Sequence, residues 1–152
     1  MRLSPGTMGL AMAAAIGAVF GLGAFTFDYA EGTSYFSTDP RACANCHIMQ
    51  EQYDSWLKSS HHEAAGCVDC HLPTTFFAKY LAKAENGYHH SKGFTFQDFH
   101  EPIQIKPANS AILQDNCRRC HGELVHAMVE SPAGEVTSCV HCHLDVGHGA
   151  KR

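Results

Sequence analysis

Cys43-Ala-Asn-Cys46-His47, Cys67-Val-Asp-Cys70-His71, Cys117-Arg-Arg-Cys120-His121 and Cys139-Val-His-Cys142-His143 use all eight cysteines of the chain, and a histidine follows each pair at once. Composition alone would give on the order of 0.03 such pentapeptides in a chain of this make-up, so four of them are not background. Two thiols three residues apart reach the two vinyl groups of one haem, and the adjacent imidazole reaches its iron. Four-cysteine zinc sites do not require a histidine after every pair, and a disulfide scaffold would leave those histidines unexplained. The reading is four covalently bound haem c groups, held by Cys43 with Cys46, Cys67 with Cys70, Cys117 with Cys120 and Cys139 with Cys142.

Working outward, the 152 residues suit one compact domain once an apolar N-terminal stretch is set aside. The formal charge of −4 and the 17 % of charged residues point neither to nucleic acid nor to an acidic disordered tail. From about Asp28 onward few apolar runs are long enough to build a core. Roughly 124 residues serving four macrocycles leave about 31 per haem, so the porphyrins themselves must supply much of the buried apolar surface. The expected fold is mostly α with much irregular structure: a single N-terminal transmembrane helix and a small multihaem c-type cytochrome domain.

Residues 6–27 carry no charge. Twenty residues from Met8 to Phe27 would span about 30 Å as a helix, the hydrocarbon thickness of a bilayer. The many glycines and alanines suit close packing between transmembrane helices. Arg2 lies before this stretch and Asp28 and Glu31 after it, which sets the N-terminus in the cytoplasm and the haem domain outside the cytoplasmic (inner) membrane. A cleaved signal peptide is the competing reading, for which the apolar region is long and Gly21-Leu22-Gly23 a poor cleavage site. The domains are therefore an anchor over 1–28 and a haem domain over 29–152. The spacings of 24 residues from Cys43 to Cys67 and 22 from Cys117 to Cys139 divide the latter into di-haem halves, about 29–75 and 108–152. Between them Phe76 to Glu85 suits a short helix broken by Asn86-Gly87, Pro102 and Pro107 oppose helix, and a second helix starts near Asn109 or Ser110.

Four bis-histidine haems need eight histidines. Beyond the motif residues the chain offers His61, His62, His89, His90, His100, His126, His141 and His148. Each could equally be an exposed or propionate-pairing residue. From the residues alone His47 would ligate the first iron and Met49 would be a core residue, thioethers being the less common ligands.

Cys43-x-x-Cys46-His47-Ile48-Met49, Trp56-x-x-Ser59-Ser60-His61, Cys67-Val68-Asp69-Cys70-His71-Leu72-Pro73, Lys79-x-x-x-Lys83-Ala84-x-Asn86-Gly87-Tyr88-His89-His90-Ser91 and Phe94-Thr95 together resemble the NapC/NirT family of membrane-anchored tetrahaem quinol dehydrogenases. The likeness is greatest to the members that serve the ammonia-forming cytochrome c nitrite reductase. It implies that Met49, not His47, ligates the first iron, that His71 pairs with Lys83, His121 with His148, and His143 with His61. His62 is a rival for His61. Where some relatives have an aspartate near the first haem this chain has His90, so Lys83 and His90 are the candidate quinol-pocket residues. A lysine ligand must be held close and desolvated to lose its proton.

The function so implied is oxidation of menaquinol and delivery of electrons to a multihaem cytochrome c nitrite reductase in a hetero-oligomer during anaerobic respiration. As a quinol dehydrogenase subunit the chain is expected to reduce no nitrite by itself. Only 15 residue steps, about 22 Å if helical, separate Asp28 from Cys43, which keeps the first haem near the bilayer. The alternatives are a carrier serving a nitrate or N-oxide reductase, and an autonomous haem enzyme or redox sensor. Against the latter, no separate nucleophile, base and orienter stand out.

Overall fold

The computed structural model describes residues 4–45, 47–129 and 137–149, and divides between Ser37 and Thr38 into two compact units. Among the described residues the regular structure is helical and no strand forms. The first unit is built on α1, Pro5–Tyr29. Ser4 starts it by accepting a hydrogen bond from the Thr7 amide at 3.3 Å, and Pro5 occupies the first turn, where no amide donor is needed. Its 25 residues give a length of about 37 Å, enough to cross a bilayer with some tilt. The helix is exposed along its whole length, as a lipid-facing helix is. It ends where Glu31 turns left-handed at φ 50°, followed by a 3₁₀ turn over Gly32–Phe36. A side chain at Gly32 would run into the Phe27 ring, so the close approach there requires glycine.

The second unit carries the four cysteine motifs. Its helices are α2 (Pro40–Cys43), α3 (Gln50–Trp56), α4 (Cys67–His71), α5 (Phe76–Phe96), α6 (Pro107–Val129) and α7 (Cys139–Cys142). Asp39 caps α2 through the Arg41 amide at 2.9 Å, and the Trp56 indole N–H closes the loop after α3 by donating to the Ala65 carbonyl at 2.9 Å. Helix α4 packs on α6, and α7 on α6. Leu72 is the only buried apolar side chain and Asn116 the only buried polar one among the described residues. A polypeptide of this size cannot offset its chain entropy with so little buried surface.

Two helices exceed what their sequences predict. Helix α5 runs through Asn86-Gly87 instead of breaking there. Asn86 Oδ1 accepts a hydrogen bond from Asn109 Nδ2 at 2.9 Å, so that side chain joins α5 to α6 rather than competing for its own backbone, and Gly87 keeps negative φ. The local cost of that glycine is about 1 kcal/mol, which the flanking helix absorbs. Helix α6 begins at Pro107 rather than at Asn109 or Ser110. The proline that was expected to oppose helix occupies its first turn, where it is tolerated, and the Ser110 amide donates to the Lys106 carbonyl at 2.9 Å.

Candidate haem site

The helices place the two cysteines of a motif one turn apart on the same face, with the histidine next in line. In α4, Gly66 precedes the first turn and its amide donates to Asp69 Oδ2 at 2.9 Å, fixing the start of the helix at Cys67. Cys117 and Cys120 lie within α6, Cys139 and Cys142 form the ends of α7, and Cys43 ends α2. Cys46 and the His47 side chain lie outside the described residues. No two of the seven described cysteines form a disulfide, and no three His, Cys, Asp or Glu side chains converge on a bare-ion site among the described residues. Paired thiols with a following imidazole, bordering a unit that lacks an apolar interior, fit covalently held haem.

The motifs adjoin one another in sequence order. The Cys43 and Cys67 side chains are neighbours. Cys70 lies near Cys120 of the third motif, and Cys117 near Cys139 of the fourth. First meets second, second meets third, and third meets fourth.

Polar side chains of α6 hold this order. Asn116 Nδ2 donates to the carbonyls of Cys70 at 3.0 Å and Leu72 at 2.9 Å, and Arg119 Nη2 donates to the Asp69 carbonyl at 3.2 Å. Gln114 donates to the Thr137 carbonyl and accepts from the Cys139 amide, both at 2.9 Å. Sequence reasoning passed over Gln114, Asn116 and Arg119, since their partners lie 23 to 50 residues away. Asn116→Ala should strip the Cys70 and Leu72 carbonyls of their donor and destabilise the haem protein by about 1–3 kcal/mol in denaturant titration, whereas an exposed change such as Glu85→Ala should cost little. Equal midpoints for the two variants would remove Asn116 from this role.

The candidate iron ligands fall at the seams between motifs. His71 is held below the ordinary imidazole range by burial and by facing His148, which keeps it in the neutral form that a metal requires. The His71 and His148 rings stack at 5.8 Å. His148 Nδ1 lies 3.2 Å from the Gln52 carbonyl, which accepts only, so Nδ1 carries the proton and Nε2 is the nitrogen left for a metal. His61 meets the His121 ring at 5.9 Å. Its neighbour His62 is turned elsewhere, edge-on to Trp56 at 4.7 Å and 3.0 Å from Glu63. His143, which the resemblance pairs with His61, is exposed. The ring contacts thus fall between the implied ligand pairs rather than within them.

Near the first motif, Met49 is half-buried at the N-terminus of α3 while Ile48 is exposed. Lys83 is half-buried on α5, drawn toward the neutral amine by desolvation, with the Cys43 sulfur opposing and Lys79 assisting. Its Nζ stands 5.8 Å from the Tyr80 ring centre. His90 lies two turns further, about 10 Å along the same side of α5, exposed yet lowered by partial desolvation and by Lys106 and His89. Lys83 and His90 therefore border one side of α5 without touching.

The sequence pattern of the NapC/NirT cytochrome c family, N-terminal region, matches residues 5–152. Among curated proteins the chain is 38 % identical over 143 residues to the cytochrome c-type protein NrfH of Wolinella succinogenes, covering 87 % of this chain and 81 % of that one. It is 29 % identical over 131 residues to the cytochrome c-type protein NapC of Haemophilus influenzae, covering 70 % and 65 % respectively. Among solved structures it superposes with a TM-score of 0.64 and 25 % identity, over 94 % of this chain and 92 % of the other, on a chain in the crystal structure of the cytochrome c nitrite reductase NrfHA complex bound to the HQNO inhibitor.

Proposed function

The chain belongs to the NapC/NirT cytochrome c family, and from that premise we propose that it oxidises menaquinol and delivers the electrons to a periplasmic cytochrome c nitrite reductase that converts nitrite to ammonium. Family membership makes it an electron-transport protein with covalently bound haem, and α1 is its single-pass membrane anchor. The observation that carries the proposal is the likeness over nearly the whole chain to part of an inhibitor-bound nitrite reductase complex. The haem domain, on this reading, faces the periplasm from the inner membrane, with its two di-haem halves flanking α5.

Four haems, one per motif, would supply one-electron redox chemistry along the unit. The residues that would hold them are the eight motif cysteines. Met49 would ligate the first iron, His71 and Lys83 the second, His121 and His148 the third, His143 and His61 the fourth. His61 is preferred to His62 because His61 faces a motif histidine and His62 packs on Trp56. With these pairs, the His71–His148 contact joins ligands of the second and third haems, and the His61–His121 contact joins ligands of the third and fourth. Both follow the same order as the thiols.

Quinol oxidation releases two protons as well as two electrons, so the site needs a base beside the first motif. Lys83 stands by Cys43 and lines that pocket while serving the second iron, which leaves His90 as the proton acceptor. Its imidazole, shifted below the usual range, is neutral at neutral pH and able to accept.

The test is isolation of the affinity-tagged chain from membranes of nitrite-grown cells. A multihaem nitrite reductase should accompany it, and the preparation should reduce nitrite with a menaquinol analogue as donor. The other reading that family membership leaves is a nitrate or N-oxide reductase as the partner. Recovery of that enzyme in place of the nitrite reductase would move the assignment there.

A further inference from the structure

His61 and His62 offer iron the same ligand twice, as adjacent imidazoles on the loop 57–66 between α3 and α4. Chemistry does not separate them, so the direction each ring takes decides which one a haem meets. The loop is folded around His61. Its amide donates to Ser59 Oγ at 3.3 Å, and its carbonyl accepts from the amides of Ala64 at 3.0 Å and Ala65 at 2.9 Å. The Ala65 carbonyl accepts in turn from the Trp56 indole N–H at 2.9 Å, so the last residue of α3 closes the loop across nine residues. The same Trp56 ring meets His62 edge-on, with 4.7 Å between centres. His61, whose backbone is tied to Trp56 through Ala65, turns its ring to His121 at 5.9 Å.

We propose that Trp56 is a positioning residue that selects His61 over His62 as an iron ligand. The inference rests on the proposed ligation of a haem by His61 and supplies what enforces it. Trp56 acts on both histidines at once: its N–H fixes the turn that aims His61, and its ring occupies His62. It is the single tryptophan of the chain, and its indole nitrogen only donates, so phenylalanine can copy the ring but not the bond. The other contact of His62, Glu63 Oε1 at 3.0 Å from Nδ1, involves a carboxylate that is 91 % exposed and restrains the ring only weakly. Removing Trp56 therefore relaxes the aim of His61 and releases a second imidazole one residue along.

The experiment reads the oxidised haems of the full-length, haem-loaded protein by electron paramagnetic resonance, with no quinol or reductase present. His61→Ala should raise the high-spin signal over the parent's by about one haem per chain, and His62→Ala should leave it unchanged. Added imidazole should restore the low-spin state of His61→Ala, which shows the rest of the haem pocket to be intact. When Trp56→Leu is combined with His61→Ala, the released His62 should take the position and at least halve the added signal without imidazole. A double variant as high-spin as His61→Ala, yet still rescued by imidazole, overturns the selection. Trp56→Phe is the milder probe. It should shift the g-values and reduction potential of one haem while every haem stays covalently bound, and values identical to the parent's also overturn the proposal. If His61→Ala itself adds no high-spin signal, the ligand assignment fails and the selection with it, so the two failures are told apart by the single variant.

Discussion

Cys67→Ala with Cys70→Ala should leave almost no folded haem protein in the membrane. These cysteines bound α4, the element that packs on α6 and whose following residue, Leu72, is the one buried apolar side chain described. Helix α4 also packs on α2, which ends in Cys43, and α6 carries the third motif, so the second motif adjoins both its neighbours. Losing the haem at this position removes apolar surface from the middle of the unit. Burial of a large apolar group is worth several kcal/mol, comparable with the whole stability of a small domain. Haem-stained gels of membranes should show the band lost or nearly so. The equivalent change at Cys139 and Cys142, in a four-residue helix at one end of the order, should retain a three-haem product. A stable three-haem protein from the α4 variant would mean that the unit does not depend on its second haem for a core.

Met49→Leu should have the second large effect, on function rather than on folding. Leucine preserves volume and removes the sulfur, so packing at the start of α3 is nearly unchanged. If Met49 ligates the first iron as proposed, the spectrum of the first haem should change, and quinol oxidation should fall at least as much as when a metal's outer-layer partner is lost, roughly 10–100-fold. Dithionite should still reduce the other three haems. His47→Ala should be the milder change in the spectrum. The reverse pattern, with Met49→Leu silent and His47→Ala disruptive, would return the first iron to its motif histidine.

Much of this account is legible in the chain because covalent haem chemistry is local. Two thiols and an imidazole must fall within five residues, so the four motifs declare themselves without any knowledge of the fold. The membrane helix is legible for a similar reason, since bilayer thickness dictates an uncharged run of fixed length. What escapes is what depends on distant partners. Asn86-Gly87 reads as a helix break until Asn109, 23 residues on, takes up the asparagine side chain. Asn116 looks like an ordinary polar residue beside a motif, and only its two bonds to the chain around His71 reveal it as the clamp between the second and third motifs. His61 and His62 are equivalent in sequence but project in different directions, and it is Trp56 and Glu63 that draw His62 aside.

The central claim, that electrons enter from quinol and leave only through a partner enzyme, is tested most directly by the haem absorbance of the purified chain in lipid vesicles. A menaquinol analogue should reduce the haems, and added nitrite should leave them reduced until a cytochrome c nitrite reductase is supplied, whereupon they reoxidise. Reoxidation by nitrite alone at the same rate, or no reduction by quinol at all, would contradict the account.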